Sequence, residues 1–586
     1  MMKPKPKLLL QANKVFPVLL GLTTVAHAAP SVISDLPGVV EPDTSTATMK
    51  SYIPSDTVKA LPSRKERASS GQAGPGIVVS AFRLEGANDY PDSGIDTTEM
   101  KSLIEAFRAQ RMANKGKLTF SDIEQAAEII TNYYRKNGLI VSYAFVPAQD
   151  VADGVVTIQV MEGRLGAIKA DLAEDSIYTQ KQFEALFTEQ MGKPIVKEEI
   201  EKALLIARDY HPTARISGIL TPDGKPGETD LIVRARGDKR INNSVGIDNY
   251  GSKYTGRTRV RAGIGINNIT GRADRLDINL LKGLGESNLY GGGQYDLPIM
   301  GGKTHVGFSY SLNDYKAGAD IAALEITGIN QTARAYAKHD FFRTRERRLT
   351  GSLGINRKDS EIELAGNKYS RDILSVVDLG MNARAIDRLM GNEYIALNLF
   401  SFNYHHGFNN LFGSLDRNDS GSSRSDSSGT MNADGNFNKF TAEYYRFQSL
   451  GTGMMFTFRV RGQWTTDMLV SIEQEPLGGP NNVRAYPRAE FMRDRGYFTS
   501  AEFSTDVPDL GKKLKAFVFM DYGKGWLNDP LRDQEKAISL AAVGVGLKIN
   551  IDDSLLGRFQ VATPLGTRAA SNSKDPQAYF DLTWHF

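Results

Sequence analysis

The chain has 586 residues, a formal net charge of +3, a mean hydropathy of −0.33 and no cysteine. These values exclude thiol catalysis, cysteine-ligated metal and disulfide stapling, and no stretch beyond the N-terminus approaches the about 18 apolar residues of a membrane-spanning helix. A membrane β-barrel escapes that test, because only every second residue of its strands faces lipid.

At the start of the chain, Lys3, Lys5, Lys7 and Lys14 form a basic region, Val15 to Val25 a short apolar core, and Ala26-His27-Ala28 a small-x-small cleavage site. Residues 1–28 therefore read as a removed export signal. Its loss takes four lysines and no acid, which moves the formal charge from +3 to −1. Nucleic-acid binding then has no compositional support. Residues 29–76 carry Pro30, Pro37, Pro42, Pro54, Pro62 and Pro75 among Ser, Thr and Gly. This spacing interrupts helices and predicts an extended linker, with room for one short helix.

From Ile77 the texture changes. Ile77 to Gly86 predicts a strand and Thr98 to Met112 a helix. Ser121-Asp122-Ile123-Glu124 reads as the capping box of a second helix, with Ile123, Ala126, Ala127, Ile130 and Tyr134 on its inner face. Strands over Leu139 to Val146 and Val155 to Met161 complete a β-α-α-β-β unit at 77–163. The order repeats at 164–239. A strand at Leu165 to Ala170 is followed by helices at Tyr178 to Gln190 and Lys197 to Tyr210. Strands at Ala214 to Leu220 and Thr229 to Arg236 flank an Asp223-Gly224 turn.

Over 240–586 helical periodicity disappears. Val543, Val545, Leu547 and Ile549 alternate with Gly544, Gly546, Lys548 and Asn550. Phe580, Leu582, Trp584 and Phe586 alternate with Tyr579, Asp581, Thr583 and His585. A soluble sandwich has the same alternation. The export signal, the aromatics near strand ends and the polar loop Leu415 to Phe437 favour a transmembrane antiparallel barrel of about 14 to 18 strands, with sixteen expected. The fold class is thus mainly β, with two small α+β modules ahead of the barrel.

Other signals are weak. His405-His406 has no carboxylate at ligand spacing, Gly291-Gly292-Gly293 lacks the Lys-Ser/Thr of a phosphate loop, and Asp416 to Gly421 lacks the terminal glutamate of a calcium loop. No catalytic set presents itself, and no cofactor or metal is implied.

The order of signal, linker, two β-α-α-β-β modules and barrel resembles the two-partner secretion transporters, the hemolysin secretion/activation proteins of the outer-membrane barrel-assembly superfamily. The modules resemble polypeptide-transport-associated (POTRA) domains. Ile158 to Arg164 is similar to the family's joint between modules, and Gly246 to Gly251 resembles its barrel opening. Val483-Arg484-Ala485-Tyr486 resembles the V-R-G-Y signature of the sixth extracellular loop, which in the family folds back into the lumen. Phe519-Met520-Asp521-Tyr522-Gly523 resembles its partner on the wall, and Asp494, Gly496 and Glu502 sit where the family has a Gly-Asp-x-Gly…Glu pattern, from which this chain departs in that Arg493 precedes Asp494. Ala485 stands in place of the family's glycine. If the backbone there has positive φ, the substitution costs about 1 kcal/mol.

The resemblance implies an outer-membrane transporter of a Gram-negative cell that takes an unfolded exported partner from the periplasm to the surface without ATP. It also implies a bidentate Arg484–Asp521 pair that fixes the loop, with Tyr486 and Pro487 stiffening the tip or packing on the wall. The expected partners are a secreted hemolysin, adhesin or similar β-helical exoprotein, outer-membrane lipid, and the barrel-assembly machinery through the strand ending at Phe586. Client capture is expected at module edges, with Ala214 to Leu220 the candidate. Three other readings stay open: an assembly or insertase factor, a porin using Arg459 and Arg461 for anion preference, and a secreted sandwich.

Overall fold

The computed structural model describes residues 58–59 and 76–586, apart from 152, 211–214, 223, 238, 286–287, 392–393, 427, 429–430, 509–510, 532–533 and 552–553. The export signal and the short helix for which the linker has room lie outside the described residues. The chain divides into two compact units, one spanning Pro54–Lys239 and one containing Arg240–Phe586.

In the first unit, β1 (Val58–Lys59) precedes two modules. The first runs β2 (Ala81–Glu85), α1 (Thr97–Lys115), α2 (Phe120–Lys136), β3 (Tyr143–Phe145) and β4 (Val155–Met161). Its sheet has the order β2-β4-β3, with β2 parallel and β3 antiparallel to β4. The second runs β5 (Arg164–Asp171), α3 (Gln180–Phe187), α4 (Lys197–Tyr210), β6 (Arg215–Pro222) and β7 (Glu228–Arg236), with the equivalent order β5-β7-β6. Each buries its own core. In the first, Ile123, Ala126, Ile130 and Tyr134 of α2 pack on Phe82, Val156 and Ile158 of the sheet. In the second, Phe183, Phe187, Leu204 and Ala207 pack on Leu231 and Val233.

The capping box of α2 lies two residues before its predicted place. Thr119 is the N-cap: its Oγ1 accepts from the Asp122 amide at 3.3 Å, and Asp122 Oδ2 accepts from the Thr119 amide at 3.0 Å. The helix begins at Phe120, which puts Ser121 inside it and leaves Ser121 no capping role. Burial opposes the Asp122 charge. The Thr119 hydrogen bonds and the Lys115 ammonium outweigh it and hold the carboxyl below the usual carboxylate range. At the joint, Glu162 accepts from the Asn88 amide and side chain (both 2.8 Å), the Tyr90 hydroxyl (2.5 Å) and the Tyr134 hydroxyl (3.0 Å). Burial, reinforced by that carboxylate, pushes the Tyr90 hydroxyl up to about 12.

The second unit is a closed antiparallel barrel of sixteen strands. Its first half comprises β8 (Ile241–Asp248), β9 (Arg259–Asn267), β10 (Arg275–Gly283), β11 (Asn288–Ile299), β12 (Thr304–Lys316), β13 (Thr327–Arg343), β14 (Arg347–Leu364) and β15 (Asn367–Asp387). The second comprises β16 (Ala396–Phe408), β17 (Asn438–Ser449), β18 (Met454–Thr465), β21 (Arg495–Val507), β22 (Gly511–Trp526), β23 (Ala537–Ile551), β24 (Leu555–Pro564) and β25 (Gln577–His585). A two-stranded hairpin, β19 (Glu475–Leu477) and β20 (Phe491–Arg493), interrupts the sequence within the loop after β18. The seam between the first and last strands is short: Ser244 to Asp248 pair with His585 to Asp581.

The alternation resolves in favour of the barrel over the sandwich. Val518, Met520, Val543, Val545, Phe559 and Trp584 are exposed. Their strand neighbours Phe517, Phe519, Asp521, Ala542 and Gln560 are buried. A sandwich buries its apolar face, whereas this surface presents apolar side chains outward and polar ones inward, as lipid on the outside requires.

Candidate functional site: the loop inside the barrel

Loop 6, residues 466–494 between β18 and β21, carries Val483 to Tyr486. Gly478 and Gly479 adopt φ of 95° and 120° and let the chain reverse, and the Gly479 amide donates to the Tyr486 carbonyl at 3.1 Å. The tip is thus a small closed turn in which Asn481 stays exposed while Val483, Ala485 and Tyr486 are buried with Phe498, Phe517 and Phe519 of the wall. Ala485 does not have positive φ; the left-handed alanine of this loop is Ala489 (φ 50°). The expected strain at Ala485 therefore does not arise.

The Arg484 guanidinium has five N–H donors, and each has a partner. Nε donates to Asp521 Oδ2 (2.8 Å) and Nη2 to Asp521 Oδ1 (2.7 Å), the bidentate pair. Nη2 also donates to Ser500 Oγ (2.9 Å), and Nη1 to Glu502 Oε2 (2.9 Å) and Gln560 Oε1 (3.4 Å). The Arg484 amide adds a bond to Asp521 Oδ2 (3.1 Å), and the guanidinium carbon lies 3.3 Å from the Phe519 ring centroid. Asp521 is wholly buried and Arg484 is 4% exposed. Glu502 also accepts from Lys548 (2.6 Å) and Arg558 (2.7 Å), so each buried carboxylate is neutralised.

Gly523 permits this approach. A Cβ there would stand 3.0 Å from Val483 and 3.3 Å from Leu477. Tyr486 packs on the wall: its hydroxyl donates to the Arg568 carbonyl (3.0 Å), and the Tyr579 hydroxyl donates to its carbonyl (2.7 Å).

The remaining motif residues divide. Glu502 joins Arg484, but Asp494 sits at the end of the loop, accepting from the Leu469 amide (3.2 Å), Gln474 Nε2 (3.0 Å) and the Asn528 amide (2.6 Å). Gly496 lies at the start of β21, where an added Cβ would stand 2.8 Å from the Lys524 carbonyl.

Sequence reasoning missed Ser500, Lys548, Arg558 and Gln560, which complete the socket, and Glu473, which anchors the root of loop 6 through Lys358 on β14 and Lys439 (2.7 Å) on β17. Arg459 and Arg461 turn out to fasten the loop: Arg459 donates to the Asn481 carbonyl (2.8 Å) and pairs with Glu443, while Arg461 pairs with Glu475 (3.2 Å). His405 lies in β16 against Asp378 (2.6 Å). Among the described residues no cluster of His, Asp and Glu is placed to hold a metal.

The β6 edge, the candidate for client capture, carries β1 in parallel, with Val58 opposite Gly218 and Lys59 opposite Ile219. Among the described residues the edge strands are β2 and β3 in the first module's sheet and β1 and β5 in the second; on β3, Tyr143 is exposed.

Comparisons with known proteins agree with this architecture. Residues 227–549 match the family model of the haemolysin secretion/activation protein ShlB/FhaC/HecB, and residues 79–163 match the ShlB-type POTRA domain. The heme/hemopexin transporter protein HuxB of Haemophilus influenzae is 28% identical over 77% of this chain and 78% of its own. The outer membrane transporter CdiB of Escherichia coli is 25% identical over 85% and 80%. In fold, the chain is similar to the solved structure of CdiB from Escherichia coli, with a TM-score of 0.68 at 21% identity and all of both chains covered. It is also similar to BamA from Haemophilus ducreyi lacking POTRA domains 1–3, at 0.50 and 14%, covering 87% of this chain and all of the other. With its barrel in the outer membrane and its POTRA region in the periplasm, the chain belongs to the ShlB/FhaC/HecB family of haemolysin secretion/activation proteins and is a two-partner secretion transporter.

Proposed function

We propose that loop 6 is the inner lid of the secretion channel and that Arg484, with Asp521, Glu502 and Phe519, is its lock. The observation that carries this reading is the complete use of the five Arg484 donors by groups on β21, β22 and β24, in a socket that holds no other cation of the loop tip. Residues 77–163 and 164–239 serve as the client-facing modules and 240–586 as the channel. An unfolded exoprotein adds a strand to the open β3 edge, using main-chain hydrogen bonds that demand no one sequence. The hemolysins, adhesins and similar β-helical proteins suit this chemistry, because a chain that forms successive strands outside makes its own return costly without ATP. Outer-membrane lipid covers the apolar outer face. The terminal strand, with the Trp584 and Phe586 rings 4.6 Å apart, is the segment offered to the barrel-assembly machinery.

A mass-spectrometric inventory of culture supernatant and cell surface, with and without this protein, tests the reading. Loss of one large exoprotein with other outer-membrane proteins unchanged supports it. Broad depletion of other barrels would instead mark an assembly factor.

A further inference from the structure

Loop 5, residues 409–437 between β16 and β17, is polar and Ser-rich, yet it does not stand free in solvent. Its Leu415 and Phe437 are buried in one apolar cluster with Leu469 and Ile472 of loop 6. Beside them the Ser423 and Ser471 hydroxyls meet at 3.1 Å, and the Ser423 amide donates to Asp372 Oδ1 on β15 at 2.9 Å. Arg424 joins three loops. Its Nη1 bonds the Asp494 carboxylate and the Leu469 carbonyl (3.1 Å), both in loop 6. Its Nη2 donates to the Asn528 carbonyl (2.6 Å) in loop 7, residues 527–536. Asp494 is wholly buried, and Arg424 is the cation on it.

This contact is separate from the Arg484 socket. Asp494 immediately precedes β21, whereas Glu502 lies eight residues further along the same strand. At about 3.3 Å per residue that is about 26 Å of strand. The two arginines therefore act at different depths of one channel, one at the outer rim and one within the wall.

We propose that loop 5 is an outer gate, closed over loop 6 and clasped by Arg424 on Asp494, so that a client leaves only after this second clasp opens. Arg424 is a positioning residue: it fixes loops 6 and 7 against loop 5 and holds the mouth shut. The arrangement suits a channel that carries an extended chain but retains small solutes at rest, since either gate alone closes the path. The inference adds to the reading of loop 6 as the inner lid, and its test is independent of any cargo.

The chain has no cysteine, so Ser423→Cys with Ser471→Cys introduces one reversible disulfide between loops 5 and 6. Conductance of the full-length chain in planar bilayers is measured in an Arg484→Ala background, where the inner lock is absent. Adding Arg424→Gln raises the open fraction about tenfold, the effect of removing a charge-assisted bond, and Arg424→Lys falls between. Oxidising the cysteine pair in the Arg484→Ala/Arg424→Gln background returns the channel to its closed level, and reductant reopens the same molecules, which shows that the barrel is intact. The proposal is overturned if Arg424→Gln adds nothing to Arg484→Ala, or if closing the disulfide leaves conductance unchanged. Secretion by Arg484→Ala tests the inner lid alone, so the two readings fail separately.

Discussion

At the residue scale, the value of Arg484 lies in geometry as well as charge. Removing it leaves Asp521 and Glu502 buried with fewer donors, a loss of about 3–5 kcal/mol for broken buried pairs. Arg484→Ala is expected to abolish secretion while barrel abundance in the outer membrane stays at the wild-type level; normal export by that variant would remove the lock reading. Arg484→Lys should retain only part of the activity, because an ammonium cannot make the bidentate fork. Gly523→Val places a side chain where Val483 and Leu477 already lie, and protease cleavage within loop 6 of intact cells should rise several-fold, as expected when overpacking of about 1–3 kcal/mol displaces the loop. The sequence exposed Arg484, Asp521 and Glu502 because they fall in a recognisable motif. Ser500, Lys548, Arg558 and Gln560 carry no such mark. They are ordinary inward positions of period-two strands: Ser500 and Gln560 reach Arg484, and Lys548 and Arg558 reach Glu502, only through register, as when Ser500 pairs with Asp521 across β21 and β22.

At the element scale, helices and strands depend on different signals. The α2 cap works through the Asp122 carboxylate, whose ionisation is favoured in the folded state. A depressed carboxyl contributes stability that is present above its unfolded pKa of about 3.9 and is lost as pH falls through the folded value. Asp122→Asn is therefore expected to speed hydrogen exchange of the Phe120–Lys136 amides at neutral pH, with the difference from wild type shrinking below about pH 4. An equal difference at both pH values would show that the charge is not what caps the helix. Strands obey the outer solvent instead. Val545 is 56% exposed in mid-β23, and Val545→Arg should cost about 2–4 kcal/mol of insertion stability, read as loss of the heat-resistant folded barrel band. Apolar alternation made the barrel strands legible, while α2 was legible in its inner face and misplaced at its cap, since Thr119 and Ser121 are both acceptable N-caps and only the three-dimensional start of the helix selects one.

At the scale of the whole molecule, the tandem repeat and a barrel of about 14 to 18 strands were legible from pattern and length, because each module must bury one helical face and each barrel strand must alternate; register selects sixteen. The pairing of β1 with β6 had no such pattern behind it: two residues in a proline-rich stretch carry no periodicity. Deleting that pairing by Val58→Pro, which removes a backbone donor, should raise hydrogen exchange along Arg215–Pro222 and leave the β3 edge unchanged. The barrel's seam has a consequence in time. Asp248 and Asp581 are separated by about 330 residues and meet across a join of five paired positions. Closure of a ring through so distant a contact is late and slow, and until Gln577–His585 arrives both terminal strands offer open hydrogen-bonding rows to any neighbour. Until that last strand pairs, the barrel is an unclosed sheet, and the join that completes it is also its most vulnerable edge.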